Sequence, residues 1–476
     1  MTIDYDLVII GGTLAGRYAA LLAIQQKATV ALVESQINYG FIQHQVFSEI
    51  AHSLDQLNDL AVWGINAAQP QTSWPEAKLY GDRIFAHLQE QNSAANLAAL
   101  GVDVIFGNGQ FQPSPHLAFT VNQRLLRGRT YLLATGSVRG VPEIAGLQTT
   151  SYLTLSNIWR SLQGTNLPQN WVIIGGVPQS IEVAQTLARL GCHVTLAVKS
   201  ASILPYGDPE IVHLLQAQLE VAGVRVLTNK PVIQVKVIED QKWVQAGDKA
   251  IATDEILVAT HQEPNVEFLN LADVGVKRRQ RGLVVNDKLQ TTNHRIYACG
   301  DVIGGDNFAN VAHDEAKIAV ENALFFPRRR VNYTCIPWSI NSYPRLAQIG
   351  FTEAQAKRQF NTDEILVIRQ YYKSLTAAQI RDETTGICKL IVLRNGEILG
   401  ASILGQEASE LINLIALAMA EKIPVQKLAN LSPIYPSFSE IIENTAREWS
   451  QQKLNSNHLL QDFLEGFFHF RRNWNL

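Results

Sequence analysis

A glycine turn near the start of the chain has the residue types and spacing that hold a nucleotide phosphate. A short apolar stretch ends at Gly11, and Gly16 follows at the head of a segment rich in alanine and leucine. The first glycine of such a turn bends the chain, the last lets a helix pack on the strand, and the helix N-terminus faces the phosphate. Glu34 closes the next apolar stretch, where an acid binds ribose hydroxyls. We therefore predict a dinucleotide site, in which Thr13 stands at the middle glycine position.

A second turn of the same kind begins at Gly175. Val177 stands at its middle glycine position, and this β-branched side chain should obstruct a pyrophosphate lying against the backbone. The strand that follows ends in Val198 and Lys199 instead of an acid, which favours NADPH over NADH, with neither nucleotide as a further alternative. Alternatively, this second strand–turn–helix unit is an internal repeat that serves packing alone and binds no nucleotide.

The composition predicts a multidomain globular enzyme. With 476 residues, 46% of them hydrophobic and 17% charged, the chain can bury two or three cores. A net charge of -3 and the lack of a long basic stripe argue against nucleic-acid binding. The four cysteines form no C-x-x-C pair and no metal-ligand spacing is present, so we expect reduced thiols, no metal and a cytoplasmic location. No export signal or membrane-spanning run is recognisable.

Further motifs complete a familiar pattern. The stretch 293–302 contains Gly300 and Asp301 and precedes a helix expected to begin near Ala309, while Ala134 opens an Ala-Thr-Gly-Ser sequence earlier in the chain. Toward the C-terminus, further segments that match one protein family, named below, lie at Ile336-Pro337, Tyr343-Pro344, 349–353, 389–392, 398–400 and 408–412. Over about residues 5 to 445 the chain resembles the class I pyridine nucleotide-disulfide oxidoreductases, the group of glutathione reductase, dihydrolipoamide dehydrogenase and mercuric reductase.

The resemblance implies an α/β fold with two Rossmann-like dinucleotide-binding domains and an α+β C-terminal dimerisation domain. The expected boundaries are an FAD-binding domain at 1–155 and 286–330, an NAD(P)-binding-like domain at 156–285, a dimerisation domain at 331–450 and a tail at 451–476. FAD, a nicotinamide nucleotide and a homodimer are implied with it. In such a dimer the dimerisation domain of one subunit completes the active site of the other.

The resemblance also transfers a set of cofactor-binding residues. In the family the aspartate matched by Asp301 hydrogen-bonds the ribityl chain of FAD, and the glutamate matched by Glu182 lies near flavin N5. The full expected set is Gly11, Gly12, Thr13, Leu14, Ala15, Gly16, Glu34, Ser35, Gly40, Asn108, Gly109, Ala134, Thr135, Gly136, Asp301, Phe308, Ala309, Ala312, Gly175, Glu182, Lys199 and Tyr435. No catalytic residue is assigned.

The reactive centre of the family has no counterpart in this chain. Counted without gaps from Glu34, the two redox cysteines of the family fall at Ile42 and Phe47, and the lysine that pairs with the glutamate falls at Ala51. The family's active-site histidine matches Tyr435, and a tyrosine with an ordinary pKa of about 10 cannot act as a base at neutral pH. We interpret Tyr435 as a ring that covers the flavin edge, with a catalytic acid as the alternative.

These departures predict flavin chemistry without thiols. Electrons would pass from NAD(P)H through FAD directly to a non-thiol acceptor such as a quinone, because an apolar pocket suits a planar molecule. Disulfide, lipoamide and mercuric reduction are not expected. The alternatives are transhydrogenation between nicotinamide nucleotides, and a pseudoenzyme that holds FAD in a dimeric interaction module.

The tail from about Arg447 has no counterpart in the family. After Ser456, which could cap a helix, apolar residues recur at helical spacing with polar residues between them. We predict an amphipathic helix with an aromatic face. This helix would fold back on the dimerisation domain or the partner subunit, or it would contact a membrane surface or another protein peripherally.

Overall fold

A computed structural model describes residues 3–34, 40–58, 60, 63–65, 73–113, 115–305, 307–455 and 458–474. The chain divides into two compact units, residues 1–204 with 219–331 and residues 205–218 with 332–476. The two dinucleotide-binding domains expected from the sequence fall together in the first unit. Residues 205–218, expected within the second of those domains, belong instead to the second unit.

The helices and strands follow the chain in three stretches. The first contains β1 (Tyr5–Ile10), α1 (Leu14–Gln25), β2 (Val30–Glu34), α2 (Gly40–Asn58), α3 (Trp74–Gln91), α4 (Ala94–Ala99), β3 (Asp103–Phe106), β4 (Gly109–Gln112), β5 (Ala118–Val121), β6 (Arg124–Leu126), β7 (Gly128–Leu133), β8 (Ser137–Arg139) and β9 (Leu153–Thr154). The second contains α5 (Ile158–Ser161), β10 (Asn170–Ile174), α6 (Pro178–Arg189), β11 (His193–Ala197), α7 (Pro209–Val221), β12 (Val224–Leu227), β13 (Val232–Ile238), β14 (Gln241–Ala246), β15 (Lys249–Thr253), β16 (Glu255–Val258), β17 (Gln262–Pro264), β18 (Arg278–Arg279), β19 (Gly282–Leu283), β20 (Ile296–Ala298) and α8 (Ala309–Leu324). The third contains β21 (Trp338–Ile340), β22 (Arg345–Gly350), α9 (Glu353–Gln359), β23 (Ile365–Tyr371), α10 (Thr376–Ile380), β24 (Ile387–Leu393), β25 (Ile398–Gly405), α11 (Ala408–Ala420), α12 (Val425–Leu428), α13 (Glu440–Asn455) and α14 (His458–Asn473).

Two sheets of the first unit repeat one architecture. One has the strand order β20-β7-β1-β2-β3 and the other the order β9-β16-β10-β11-β12, and every neighbouring pair in both is parallel. A three-stranded antiparallel sheet accompanies each of them, β4-β5-β6 in the first half and β13-β14-β15 in the second. The predicted α/β fold with two Rossmann-like halves is confirmed.

Strand β1 illustrates how the sequence builds the first sheet. Leu7 and Ile9 point to one face and Val8 and Ile10 to the other, because successive side chains alternate across a strand. All four are buried: the first pair packs on alanines of α1 and α8, and the second pair packs with Phe111. A strand covered on both faces reads as a continuous apolar run, as this one does.

The second unit contains an antiparallel sheet in the order β21-β22-β25-β24-β23, with α11 and α13 packed in its core. Lys389 on β24 is only 2% exposed and makes ion pairs of 2.9 Å with Asp208, Glu210 and Glu353. Burial lowers the pKa of Lys389, but the hydrogen bonds to these carboxylates outweigh it and raise the pKa. The cluster thereby fixes residues 205–218 to the sheet. None of the helices in the described residues is long and apolar enough to cross a membrane.

Candidate functional site

The first glycine turn is built by contacts between the ends of β1 and β7. Gly11 has φ of 115°, and a Cβ atom added to it would lie 2.2 Å from the carbonyl oxygen of Ala134, so only glycine fits. Thr13 caps helix α1: its hydroxyl accepts from the amide of Gly16 at 3.3 Å and donates to the Ala134 oxygen at 2.8 Å. The residue at the middle glycine position therefore locks the turn to the end of β7.

The acid at the end of β2 is buried and paired. Glu34 is 1% exposed, and its Oε2 lies 2.6 Å from Nη2 of Arg17, which also donates from Nε to the oxygen of Gly12 at 3.2 Å. Burial raises the pKa of Glu34, and the Arg17 guanidinium opposes that shift. Oε1 of Glu34 has no hydrogen-bond partner among the described residues. Arg17 was not among the predicted site residues.

A second acid lies at the end of β20. Asp301 accepts from the hydroxyl of Ser137 at 3.3 Å, and the side-chain nitrogen of Asn307 donates to it at 2.8 Å in the orientation that satisfies both ends of that amide. Burial raises the pKa of Asp301 to about 6, although the hydrogen bond from Ser137 lowers it. Asp301 is followed by helix α8, which begins at Ala309 as the sequence predicted.

The predicted FAD-binding residues meet at one edge of the first sheet. The Gly11 turn, Glu34, Ala134 and Asp301 follow the carboxyl ends of β1, β2, β7 and β20, which are neighbours in the strand order. Asn108 follows β3 at the same edge. Gly109 begins β4, and the rest of the set lies in the turns and helix starts that flank these strand ends: Gly12, Leu14, Ala15, Thr135, Gly136, Phe308, Ala309 and Ala312. Gly40 begins α2, and Ser35 lies outside the described residues.

The second glycine turn repeats the backbone of the first with different side chains. Gly175 has φ of 132°, and an added Cβ would lie 1.8 Å from the oxygen of Ala259. Val177 stands at the N-cap of α6 without a capping hydrogen bond. Val198, after β11, is 2% exposed, whereas Lys199 is exposed. The turn that the sequence predicted is therefore present, with the buried Val198 at the position of the acid and the exposed Lys199 after it.

An arginine that the sequence reasoning missed adds a second cation near this edge. Nη1 of Arg139 on β8 donates to the carbonyl oxygen of Val258 at 3.3 Å, where β16 ends. No carboxylate forms an ion pair with Arg139 within the part of the chain that the structure describes. Burial lowers its pKa to about 10. Arg139 and Lys199 thus supply positive charge at the carboxyl end of the second sheet.

Glu182 has a partner that the sequence did not reveal. Its Oε2 lies 3.1 Å from Nε2 of His44 on α2, and both side chains are about 5% exposed. The His44 ring stacks on Trp159 at a centroid distance of 5.7 Å and an angle of 14°. Arg189 and Asp55 form another ion pair between α6 and α2. Helix α2 therefore contacts α6 through two side-chain pairs, although the lysine position of the family is taken by Ala51.

No sulfur lies in the segment where the family carries its cysteine pair. Phe47 and Ala51 on α2 are fully buried, and the side chain of Ile42 lies outside the described residues. The chain has no cysteine before Cys192, and its four cysteines form no disulfide. Burial raises the pKa of Cys192 to about 11, that of Cys388 to about 12 and that of Cys299 well above its ordinary value. Cys335 is only partly buried, unlike the other three cysteines.

Tyr435, predicted to cover the flavin edge, lies in the second unit. It is 70% exposed, and its hydroxyl is 3.2 Å from that of Thr376. Glu440, which starts α13, accepts from the amide of Ser437 at 2.8 Å. The structure therefore presents Tyr435 on a surface and leaves its predicted role as a proposal.

Comparison with known proteins identifies the family. The family model of pyridine nucleotide-disulphide oxidoreductases matches residues 5–316, and the model of their dimerisation domain matches residues 336–446. The chain belongs to the pyridine nucleotide-disulphide oxidoreductase family. Members of this family are FAD-binding flavoproteins that use NAD(P)H. The match to the dimerisation domain supports a homodimer.

Similar members of the family carry several names. A mercuric reductase of Staphylococcus aureus is 29% identical over 451 residues, covering 92% of this chain and 81% of that protein. A dihydrolipoyl dehydrogenase of Synechocystis is 29% identical over 470 residues, covering 92% and 98%. The Cu(II) complex of the HOCl-induced flavoprotein disulfide reductase RclA from Escherichia coli aligns with a TM-score of 0.81 at 25% identity, covering 94% of this chain and all of that one.

The residues of the first sheet fit FAD. The unused buried oxygen of Glu34 and the half-buried carboxylate of Asp301 are acceptors at one sheet edge, as the hydroxyls of a ribose and a ribityl chain require. The cations Arg139 and Lys199 fit the phosphates of a nicotinamide nucleotide at the second edge. A family member with these edges is equipped to hold both cofactors.

Proposed function

We propose that this family member is an NAD(P)H oxidoreductase that works through FAD without a redox disulfide and delivers electrons directly to a non-thiol acceptor such as a quinone. The observation that carries the proposal is the absence of any cysteine before Cys192, so no dithiol can follow the glycine turn and Glu34. Disulfide, lipoamide and mercuric reduction by the family route all need that dithiol. The names of the relatives therefore do not transfer to this chain.

The packing of helix α2 supports an apolar replacement for the thiol centre. The Phe47 ring packs at a tilt against Trp74 and Trp159, with centroid distances of 5.1 and 4.7 Å, and all three rings are buried. Aromatic rings packed in this way exclude water and have no redox role of the cysteine kind. The segment is adapted to apolar packing, which suits a planar acceptor better than a polar disulfide substrate.

The charges of the second sheet favour NADPH as the electron donor. Arg139 has no carboxylate partner among the described residues, and Val198 replaces the acid that would repel a 2′-phosphate and is followed by the cation Lys199. Val177 should weaken the binding of either nucleotide, because its side chain crowds the turn. We expect NADPH to bind with moderate affinity and better than NADH.

The residues of the chain would then have distinct tasks. Glu34 and Asp301 accept hydrogen bonds from sugar hydroxyls, and Arg139 and Lys199 hold phosphates. His44, paired with Glu182, fixes α2 on α6 and so keeps the aromatic cluster of Phe47 in place. FAD supplies two-electron chemistry when bound. The overall reaction balances as NADPH, a proton and a quinone giving NADP⁺ and a hydroquinone.

Anaerobic titration of the purified holoprotein tests the proposal. NADPH should bleach the flavin absorbance faster than NADH, and a soluble quinone should then restore it. Oxidised glutathione, lipoamide and Hg(II) should leave the bleached spectrum unchanged. Measurable turnover of a disulfide, or no bleaching by either nucleotide, contradicts the proposal.

Thiol modification provides an independent control. Iodoacetamide should reach Cys335 first, because the other three thiols are buried with raised pKa values and stay protonated. Quinone turnover should survive this treatment and should be unchanged in Cys335→Ser. Loss of turnover in both would assign a task to this thiol and overturn a sulfur-free route. A flavin that is reduced by NADPH but reoxidised by no acceptor would favour the dimeric interaction module.

A further inference from the structure

The C-terminal helix α14 presents an apolar face that is largely exposed in the described residues. Helix α13 runs without a break to Asn455, so the tail helix begins only at His458, and the predicted cap Ser456 lies outside the described residues. Six apolar side chains of α14 and of the residue after it are between 44% and 84% exposed, namely Leu459, Phe463, Phe467, Phe468, Phe470 and Trp474, whereas Leu464 is half-buried. An exposed patch of this kind marks an interaction surface.

The width of this face distinguishes between possible occupants. At about 100° per residue, the apolar positions from Leu459 to Trp474 cover about half of the helix circumference. A two-stranded coiled coil needs only the narrower seam of a and d positions, whereas a helix lying in a membrane interface buries a face of this width. The polar face is continuous as well, since Asp462, Glu465 and Arg472 lie on the opposite side at the same spacing.

The composition of the face also fits a lipid surface. Phe463 and Phe467 stack at a centroid distance of 6.3 Å, and the tilted rings of Phe470 and Trp474 lie 5.1 Å apart, so pairs of aromatic rings follow one another along the helix. Aromatic side chains, tryptophan above all, favour the depth of the lipid headgroups. With 16 residues, α14 is about 24 Å long, which suits a helix lying along the surface better than one crossing it.

Charge separates the two halves of α14. Its acids, Asp462 and Glu465, lie in the first half, and the second half contains Arg471 and Arg472 without an acid. Arg471 falls within the apolar arc. Its long aliphatic stem can be buried there while its guanidinium reaches the phosphates of the lipid headgroups. The end of the helix that carries Trp474 is therefore complementary to anionic headgroups.

We propose that α14 binds this protein to the surface of membranes that contain anionic lipid, with its aromatic face among the headgroups. Lipid binding by α14 does not depend on the identity of the electron acceptor. If the acceptor is an apolar quinone, as proposed above, the helix also brings the enzyme to the phase in which such a quinone dissolves.

Vesicle co-sedimentation of the full-length holoprotein tests the proposal. Phosphatidylcholine vesicles with and without phosphatidylglycerol are the probes. The wild type should sediment with both and more strongly with the anionic vesicles, and 0.5 M salt should remove only the anionic increment because it screens exposed charges. A wild type that stays in the supernatant with both vesicle types overturns the proposal.

Matched variants distinguish binding through the aromatic face of α14 from non-specific binding of the protein to vesicles. Phe463→Ser with Phe467→Ser should lower the partition coefficient roughly tenfold or more, because two exposed rings no longer enter the interface. Arg471→Gln with Arg472→Gln should lose only the anionic increment. Phe268→Ser, which changes a 77% exposed phenylalanine in the first unit, should bind like the wild type. Equal binding by all variants contradicts a role for α14.

Two further readouts keep the outcomes distinct. Light scattering should give the same molar mass for the wild type and the aromatic double variant; a lower mass for the variant means that α14 packs on another copy of the chain, which overturns lipid docking. Turnover of a water-soluble quinone without vesicles should be equal in all variants. If vesicle binding follows the prediction while no quinone is reduced, the proposed function fails and the lipid surface stands.

Discussion

The turn at Gly11 and the turn at Gly175 lie at equivalent places in two sheets with the same strand order. Each glycine has a positive φ, and at each an added Cβ would collide with a carbonyl oxygen of the adjacent strand, that of Ala134 or Ala259. Steric demands of the strand–turn–helix therefore fix the backbone in both halves. The side chains around that backbone are free to differ, and they do.

The two edges differ in the sign of their charge. The first carries the acids Glu34 and Asp301, suited to neutral sugar hydroxyls, and the second carries the cations Arg139 and Lys199, suited to phosphates. The caps differ too, since Thr13 closes the first helix with hydrogen bonds that Val177 cannot make. One architecture can thus hold two different nucleotides because ligand choice depends on a few groups at strand ends.

Removing an arginine from each edge should give the largest change in the free energy of unfolding, and the loss should be much greater at the first edge than at the second. Arg17→Met leaves the carboxylate of Glu34 buried and unpaired, so we expect a loss of about 3–5 kcal/mol in the free energy of unfolding. Arg139→Met is the matched change in the second half and should alter stability by less than about 1 kcal/mol, because no carboxylate among the described residues pairs with it. Urea unfolding of both variants measures this. Equal losses would mean that Arg139 has a structural partner comparable to Glu34.

The pH dependence of stability should depend on the acid of the first edge. Because burial raises the pKa of Asp301 from 3.8 to about 6, the folded protein binds this proton more tightly than the unfolded chain. The stabilisation from this proton is therefore fully present below about pH 4 and is lost as the pH rises toward 6. The free energy of unfolding falls by at most about 3 kcal/mol over this range and does not change further above it.

Asp301→Asn should remove this slope from the flavin-free protein. Thermal unfolding between pH 4 and 8 compares the variant with the wild type. Hydroxyls that donate to the carboxylate lower its pKa, so adding FAD to the wild type should flatten the curve in the same range. Identical pH curves for wild type and variant would contradict the raised pKa.

Nucleotide preference should respond to the exposed cation of the second edge. We expect Lys199→Ser to lower the ratio of kcat/KM for NADPH over NADH about tenfold, equivalent to about 1.4 kcal/mol, with no change in FAD content. Stopped-flow reduction of the flavin measures both nucleotides. Lys249→Ser changes another lysine of the second half and should leave the ratio as it is; a ratio insensitive to Lys199 would remove the phosphate role.

Exchanging the caps should give the smallest effects, of opposite sign. Thr13→Val loses the hydrogen bonds to Gly16 and Ala134 and should cost about 1 kcal/mol, whereas Val177→Thr offers α6 a cap it lacks and should gain up to about 1 kcal/mol. Thermal unfolding of both variants checks the signs. Stabilisation by neither exchange would show that the turn backbone alone determines these helix starts.

The sequence predicted the elements that depend on local pattern. Both glycine turns, the strands beside them and the start of α8 could be recognised because glycine, apolar runs and helical spacing are short-range signals. Arg17, His44 and Arg139 were missed. His44 meets Glu182 only because α2 packs on α6, and no periodicity in either segment encodes that contact. The family pattern also points to the wrong position for this contact. It predicts a lysine at Ala51 as the partner of Glu182, whereas His44 on the same helix is the partner.

The protonated state of the buried thiols bears on how long this protein can work under oxidative stress. Peroxides and hypochlorous acid attack thiolates, and Cys192, Cys299 and Cys388 are buried with pKa values raised far above neutrality. If turnover needs no sulfur, as proposed above, oxidation of a thiolate removes no residue that the reaction uses. We therefore expect its activity to persist through oxidant exposures that silence its dithiol-bearing relatives.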